Sequence, residues 1–183
     1  MAKTRTQIRD FSRSLPMSLL RAREAVMSHF RPSLNHFGIT EQQWRVLRAL
    51  SAVDTIEIMA LAERTFLLPP SLSRILRDLD ERGLILRRIS EIDLRRGLVS
   101  ISARGRDLIA KAGVHSEAIY LQIAERYGAD QLARLQDMLR DLEAALAAPI
   151  ETGVFQEHGG KKGGKKGGKA VSRRSAVNGR RAP

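Results

Sequence analysis

The 183-residue sequence predicts a mainly α-helical protein carrying one small β-hairpin, with a basic tail of different character after residue 151. Three observations predict this. Apolar residues recur at helical spacing through most of residues 6–148. The period changes to about two only at Leu84–Ile89 and Leu98–Ser102, the pattern of two paired strands. Charge and glycine are also uneven. Of 32 Lys and Arg, nine lie in 158–183 with no acid beside them, and eight of 14 glycines lie in 153–183. The formal charge of +12 therefore leaves a nearly balanced body and a cationic tail.

The first helix is expected from about Thr6 to Asn35, carrying Leu15, Leu19, Leu20, Ala22, Val26, Met27 and Phe30. Pro16 bends or restarts it, and Gly38 follows its end. Thr40 with Gln43 makes a capping box for a second helix presenting Trp44, Val46, Leu47 and Leu50. Thr55 or Glu57 opens a short third helix with Ile58, Leu61 and Ala62 inward. After a turn at Thr65–Leu68, Pro69 and Pro70 suit the first turn of a fourth, where a missing N–H has no helical partner. Its Leu72, Ile75, Leu76 and Leu79 share one face, and Gly83 stands where a helix C-terminus favours glycine. The hairpin follows, with a charged tip at Ser90–Gly97, and two more helices begin after Gly105. In the last, Leu132, Leu135, Leu139, Leu142 and Leu146 form a two-heptad seam, and Pro149 stops it. The repeated Gly-Gly-Lys-Lys of the tail has nothing to bury and is expected to be disordered.

Composition excludes several functions. There is no cysteine, hence no disulfide, thiolate metal site or thiol switch. The four histidines (His29, His36, His115, His158) lack ligand spacing, so no metal or other cofactor is expected. No apolar run reaches the roughly 20 residues that span a bilayer, and no apolar stretch follows Lys3, Arg5 and Arg9 as in a secretory signal. A cytoplasmic protein without membrane contact is expected. No nucleophile elbow, phosphate loop or zinc-protease motif is present, so no catalytic residues are assigned and an enzyme is not expected.

A short helix, a tight turn, a second helix with an exposed Ser/Arg face and a basic hairpin together make a winged helix-turn-helix. Residues 64–106 carry a net +5, whereas 107–157 carry −5, which points to double-stranded DNA as the partner of the first part. Ser71 and Ser73 permit close approach to a major groove, Arg74 and Arg77 reach bases or phosphates, and Arg95 and Arg96 at the hairpin tip suit a minor groove.

At these residues the chain resembles the MarR family of bacterial transcriptional regulators, over about residues 12–147. The wing stretch Asp93-Leu94-Arg95-Arg96-Gly97-Leu98-Val99-Ser100-Ile101-Ser102 and the helix stretch Pro70-Ser71-Leu72-Ser73-Arg74-Ile75-Leu76 carry the resemblance. It implies that Arg95 enters the minor groove while Asp93 orients it, and that Pro70 belongs to the DNA-reading face. It also implies a homodimer on an inverted-repeat operator. On this reading residues 1–151 form one domain, with a DNA-binding part at about 38–103 and dimerisation helices at about 6–36 and 104–148. Residues 152–183 are the tail.

Leu20–Pro32 and Thr40-Glu41-Gln42-Gln43-Trp44-Arg45 further resemble the regulators of homoprotocatechuate-degradation operons, which sense hydroxyphenylacetate-type acids. The resemblance implies repression relieved by a small aromatic carboxylic acid. Such a ligand needs an arginine for its carboxylate and apolar walls for its ring. Arg23, Ser28, His36, Trp44 and Arg48 are the candidates, Trp44 and Arg48 being four apart on one helix face. The rival reading is a non-sensing architectural DNA-binding protein using the wing and basic tail.

Overall fold

A computed structural model describes residues 10–89, 93 and 96–150. The elements are α1 (Leu15–His36), α2 (Glu41–Ser51), β1 (Ile56–Glu57), α3 (Ile58–Thr65), α4 (Pro69–Glu81), β2 (Ile85–Ile89), β3 (Gly97–Ile101), α5 (Ala103–Tyr127) and α6 (Ala129–Ala145). The expected class holds: the protein is mainly helical with a small antiparallel sheet. One compact unit runs to Gln136 and a second begins at Asp137.

Several boundaries differ from expectation for local reasons. Pro16 restarts the helix, one of its two expected effects: a 3-10 turn at Phe11–Arg13 precedes α1, and Pro16 sits in the first turn of α1, where no helical N–H is required of it. α1 also carries Pro32 inside its length. The capping box at α2 forms as expected, Thr40 Oγ1 accepting from the Gln43 amide at 3.2 Å and Gln43 Oε1 from the Thr40 amide at 2.8 Å. α3 starts after Glu57 without a side-chain cap, because residues 56–57 are already strand.

That two-residue strand pairs Ile56 with Val99, giving a three-stranded sheet of order β1-β3-β2. Two residues leave no alternation to read. β2 and β3 pair in the hairpin register Ile85 to Ile101 and Ile89 to Gly97. Ser102 has left the strand to cap α5: its Oγ accepts from the Gly105 amide at 3.0 Å and donates to the Gly83 carbonyl at 2.7 Å. α5 thus begins two residues before Gly105, and this glycine marks a close approach. A Cβ there would lie 2.1 Å from the Leu84 carbonyl oxygen. Gly83, at φ +67°, occupies the left-handed position that ends α4. α6 stops at Ala145, short of Pro149.

The core lies under the helix-turn-helix. Leu47, Leu50, Leu61, Leu72, Leu76, Leu79, Ile85, Val99 and Ile101 are essentially inaccessible. Each such side chain contributes roughly 1.5–3 kcal/mol, so α4 is held by its leucine face with the opposite face free. A smaller cluster of Phe30, Leu34 and Ile39 packs the end of α1 near Ile119 and Ile123 of α5. By contrast, Leu15, Leu19, Leu20 and Val26 of α1, Leu135 and Leu139 of α6 and Leu146 directly after it are 38–50% exposed in the single chain.

Candidate functional site

Two regions carry the residues singled out by the sequence. The first is the outer face of α4. Burial of Leu72, Leu76 and Leu79 turns Pro70, Ser73, Arg74 and Arg77 outward, with Ser71 half-buried at the margin. Among the described residues, no carboxylate forms an ion pair with Arg74 or Arg77. The helix is anchored at its far end. Asp78 accepts from Gln43 Nε2 at 2.6 Å and pairs with Arg82 at 3.3 Å, and Arg82 donates to the Gly38 carbonyl at 3.0 Å. Asp78 thus ties α4 to α2 through Gln43 while its side chain stays half-exposed.

At the wing, Arg96 pairs with Asp93 at 3.2 Å and with Glu57 of β1 at 3.3 Å, fastening the hairpin to the sheet edge. Arg95 lies outside the described residues. Arg87 and Arg88 are exposed on β2, and Arg64 is exposed in the last turn of α3. These three cations belong to the net +5 of residues 64–106, but no spacing or motif in their segments singles them out.

The second region is a cavity of about 440 Å³ whose lining comes from α1, α2, α5 and the turn after α3. Arg23, Met27 and Phe30 share one face of α1 and reach it together, as do Glu41, Trp44, Arg45 and Arg48 on α2. Tyr120 and Phe66 add apolar walls, and Phe30 meets Tyr120 edge-on with ring centroids 5.0 Å apart. Of the five candidates, the structure brings Arg23, Trp44 and Arg48 to this cavity. Ser28 is elsewhere, its hydroxyl donating to the Ala25 carbonyl at 2.8 Å. His36 is at the end of α1, stacked on His115 and edge-on to Phe37.

Electrostatics separate the arginines. Glu41, with a side chain only 18% exposed, pairs with Arg23, with Arg31 at 3.2 Å and with Arg45 at 3.7 Å. Arg23 also meets Glu24 at 2.8 Å, and Arg31 meets it at 2.5 Å. The hydrogen bond from Arg31 holds the Glu24 carboxyl below its ordinary value, with the Arg31 and Arg23 charges acting the same way. Burial pulls the Arg45 pKa down, and the neighbouring charge of Arg23 adds to this. Arg45 Nη1 donates to the Thr65 carbonyl at 3.0 Å.

Arg48 differs. It lies over the Trp44 ring, 5.8 Å from the centroid, and forms no ion pair among the described residues. With three arginines and one glutamate in the lining, the cavity is suited to an anion with a flat apolar body. Among the described residues no cluster of His, Cys, Asp and Glu could hold a metal, and no helix is long and apolar enough to cross a membrane.

Known proteins resemble this chain in both sequence and fold. Residues 37–96 match the MarR family. The chain is 37% identical to the homoprotocatechuate degradative operon repressor of Escherichia coli over 131 residues, covering 72% of this chain and 88% of that protein. It is 36% identical over 129 residues to the HTH-type transcriptional regulator FarR of Neisseria gonorrhoeae, covering 70% of this chain and 88% of that one. The solved structure of NadR in complex with 4-hydroxyphenylacetate aligns with a TM-score of 0.65 at 35% identity, covering 75% of this chain and 97% of NadR.

Proposed function

The chain belongs to the MarR family of transcriptional regulators, and from that premise we propose that it is a homodimeric repressor of an aromatic-acid catabolic operon. It is a regulator rather than an enzyme, as are the relatives it matches. Its operator is an inverted repeat, and its effector is an aromatic acid of the homoprotocatechuate or 4-hydroxyphenylacetate class. In this reading α4 presents Pro70, Ser71, Ser73, Arg74 and Arg77 to the major groove. The wing brings Arg95 to the minor groove, with Asp93 and Arg96 positioning it.

The observation that carries the effector reading is the state of Arg48. It is a guanidinium without a carboxylate among the described residues, lying over an indole in the lining of the cavity. Arg48 takes the ligand carboxylate, Trp44, Phe30 and Tyr120 enclose the ring, and Glu41 accepts from a hydroxyl at the ring's other end. Arg23, already paired with Glu24 and Glu41, orients Glu41 rather than anchoring the ligand. The 4-hydroxyphenylacetate in the NadR complex belongs to the same chemical class.

The test is a thermal-shift panel of aromatic acids followed by an operator gel shift. A hydroxyphenylacetate-type acid is expected to raise Tm and to release the operator. Specific binding is expected to exceed bulk-DNA binding by roughly 10³-fold or more. Equal affinity for all DNA, with no acid affecting it, would instead identify an architectural protein.

A further inference from the structure

We propose that Arg45 carries occupancy of the cavity to the turn before α4, acting as a positioning residue for DNA release. The inference rests on the effector reading above and adds the device by which the ligand is sensed. Arg45 touches both sides of the problem. Its Nη2 faces Glu41 in the cavity lining at 3.7 Å, while its Nη1 donates to the Thr65 carbonyl at 3.0 Å.

Thr65 is the last residue of α3 and is fully buried, its hydroxyl donating to the Leu61 carbonyl at 2.6 Å. The carbonyl held by Arg45 is therefore the point at which this helix end is tied to α2. The next residue, Phe66, is at φ 51° and ψ 41°, the one non-glycine with positive φ among the described residues. It also lines the cavity and is 82% exposed. Three residues further on, α4 begins at Pro69. One wall of the cavity and the entry to the DNA-reading helix are the same short stretch of backbone.

A side chain with a Cβ disfavours the left-handed region, so Phe66 stays there only while its surroundings hold it. An anion held at Arg48 adds a second negative charge to the cavity that Arg45 lines together with Glu41. Of the three arginines on Glu41, Arg45 makes the longest contact, and it is the one drawn toward the newcomer. Its guanidinium is a rigid plane, so moving Nη2 moves Nη1 and loosens the bond to Thr65. The turn then has a second conformation available, and α4 leaves the orientation it holds in the empty protein. The ligand acts by its different affinity for the two states of this turn.

Trp44 is the chain's single tryptophan and lines the cavity, so its fluorescence reports occupancy. Full-length wild type, Arg45→Met, Arg45→Lys and Phe66→Gly are titrated with 4-hydroxyphenylacetate by Trp44 emission. Affinity for a selected operator duplex is then measured without probe and at the concentration saturating each variant. Saturation is expected to weaken wild-type operator binding by about tenfold or more, and Arg45→Met binding by less than about twofold. Arg45→Lys is expected to recover part of the response, because an ammonium still reaches the Thr65 carbonyl. Phe66→Gly removes the penalty on the left-handed turn and is expected to respond less than wild type.

A full response in Arg45→Met, alongside a normal Trp44 signal, overturns the inference and leaves the effector reading standing. Loss of the saturable signal in Arg45→Met overturns it too, making Arg45 a direct ligand contact. Absence of any Trp44 response in wild type overturns both. If Arg45→Met fails to fold, an unchanged response in Phe66→Gly overturns the inference.

Discussion

Arg23 and Arg48 line the same cavity and carry the same charge, yet only one is without a carboxylate partner among the described residues. Truncating Arg48 therefore removes a charge-assisted contact to the ligand and leaves no internal ion pair broken. Arg48→Ala is expected to weaken aromatic-acid binding by about 1.5–3 kcal/mol, with ligand-free operator affinity unchanged. Calorimetry and a gel shift on the same preparation check both halves. The pair Trp44 and Arg48 was legible because four residues on a helix share a face. Ser28 shows the opposite case. It follows Arg23 by five residues, about 140° around the helix at 3.6 residues per turn, so both could not line one wall. Met27 and Phe30, at spacings of four and seven, do so. Glu41 was hidden for a different reason. Its partners Arg23 and Arg31 come from another helix, and periodicity within one segment says nothing of pairing between segments.

The elements themselves were largely written in caps and periods. The Thr40–Gln43 box, the paired prolines opening α4 and the alternation of the hairpin each have a local physical cause that short sequence windows contain. What the windows lacked was backbone meeting backbone. Gly105 read as a break because glycine is a poor helix former, whereas its role is to let α5 approach Leu84. Two effects compete in Gly105→Ala. Helix propensity favours alanine by about 1 kcal/mol, and overpacking against a backbone oxygen costs about 1–3 kcal/mol or more. Since the obstacle at 2.1 Å is main chain and cannot rotate away, the second effect dominates. Gly105→Ala is expected to lower Tm, while Gly113→Ala, whose added Cβ meets nothing within 4 Å beyond its chain neighbours and its own helix backbone, is expected to hold or raise it. Differential scanning calorimetry of the two variants decides the matter.

For the whole molecule, the exposed leucines matter most. Leu139 is 41% exposed and Leu19 is equally so, far more than a stable single chain gains from leaving in water. The heptad spacing made the seam legible, but in the homodimer proposed above the surface it would meet belongs to another copy and has no trace in one sequence. Leu139→Asp is expected to preserve helix content by circular dichroism while shifting the sedimentation coefficient to a monomer. It is expected to weaken operator binding steeply, because a dimer holds both half-sites about 34–36 Å apart. A dimer of full affinity would remove α6 from the interface. The nine cations of residues 158–183 act on a separate quantity. Truncation after Glu157 is expected to weaken specific and bulk-DNA binding together and to flatten the slope of log affinity against log salt. Identical slopes would show that the tail does not touch DNA.

The joint at Ser102 has a mechanical meaning. One hydroxyl clasps Gly83 and Gly105, and the contact beneath it is too close to admit even a methyl group. Such a joint is stiff in compression, so the end of α4 and the start of α5 cannot slide past each other there. α5, with 25 residues, extends about 37 Å from this fixed point at 1.5 Å per residue. A tilt of about 5° at the joint carries its far end through about 3 Å. By this geometry, a rotation of a few degrees at Ser102 would appear at Tyr127 as a displacement the size of a side chain.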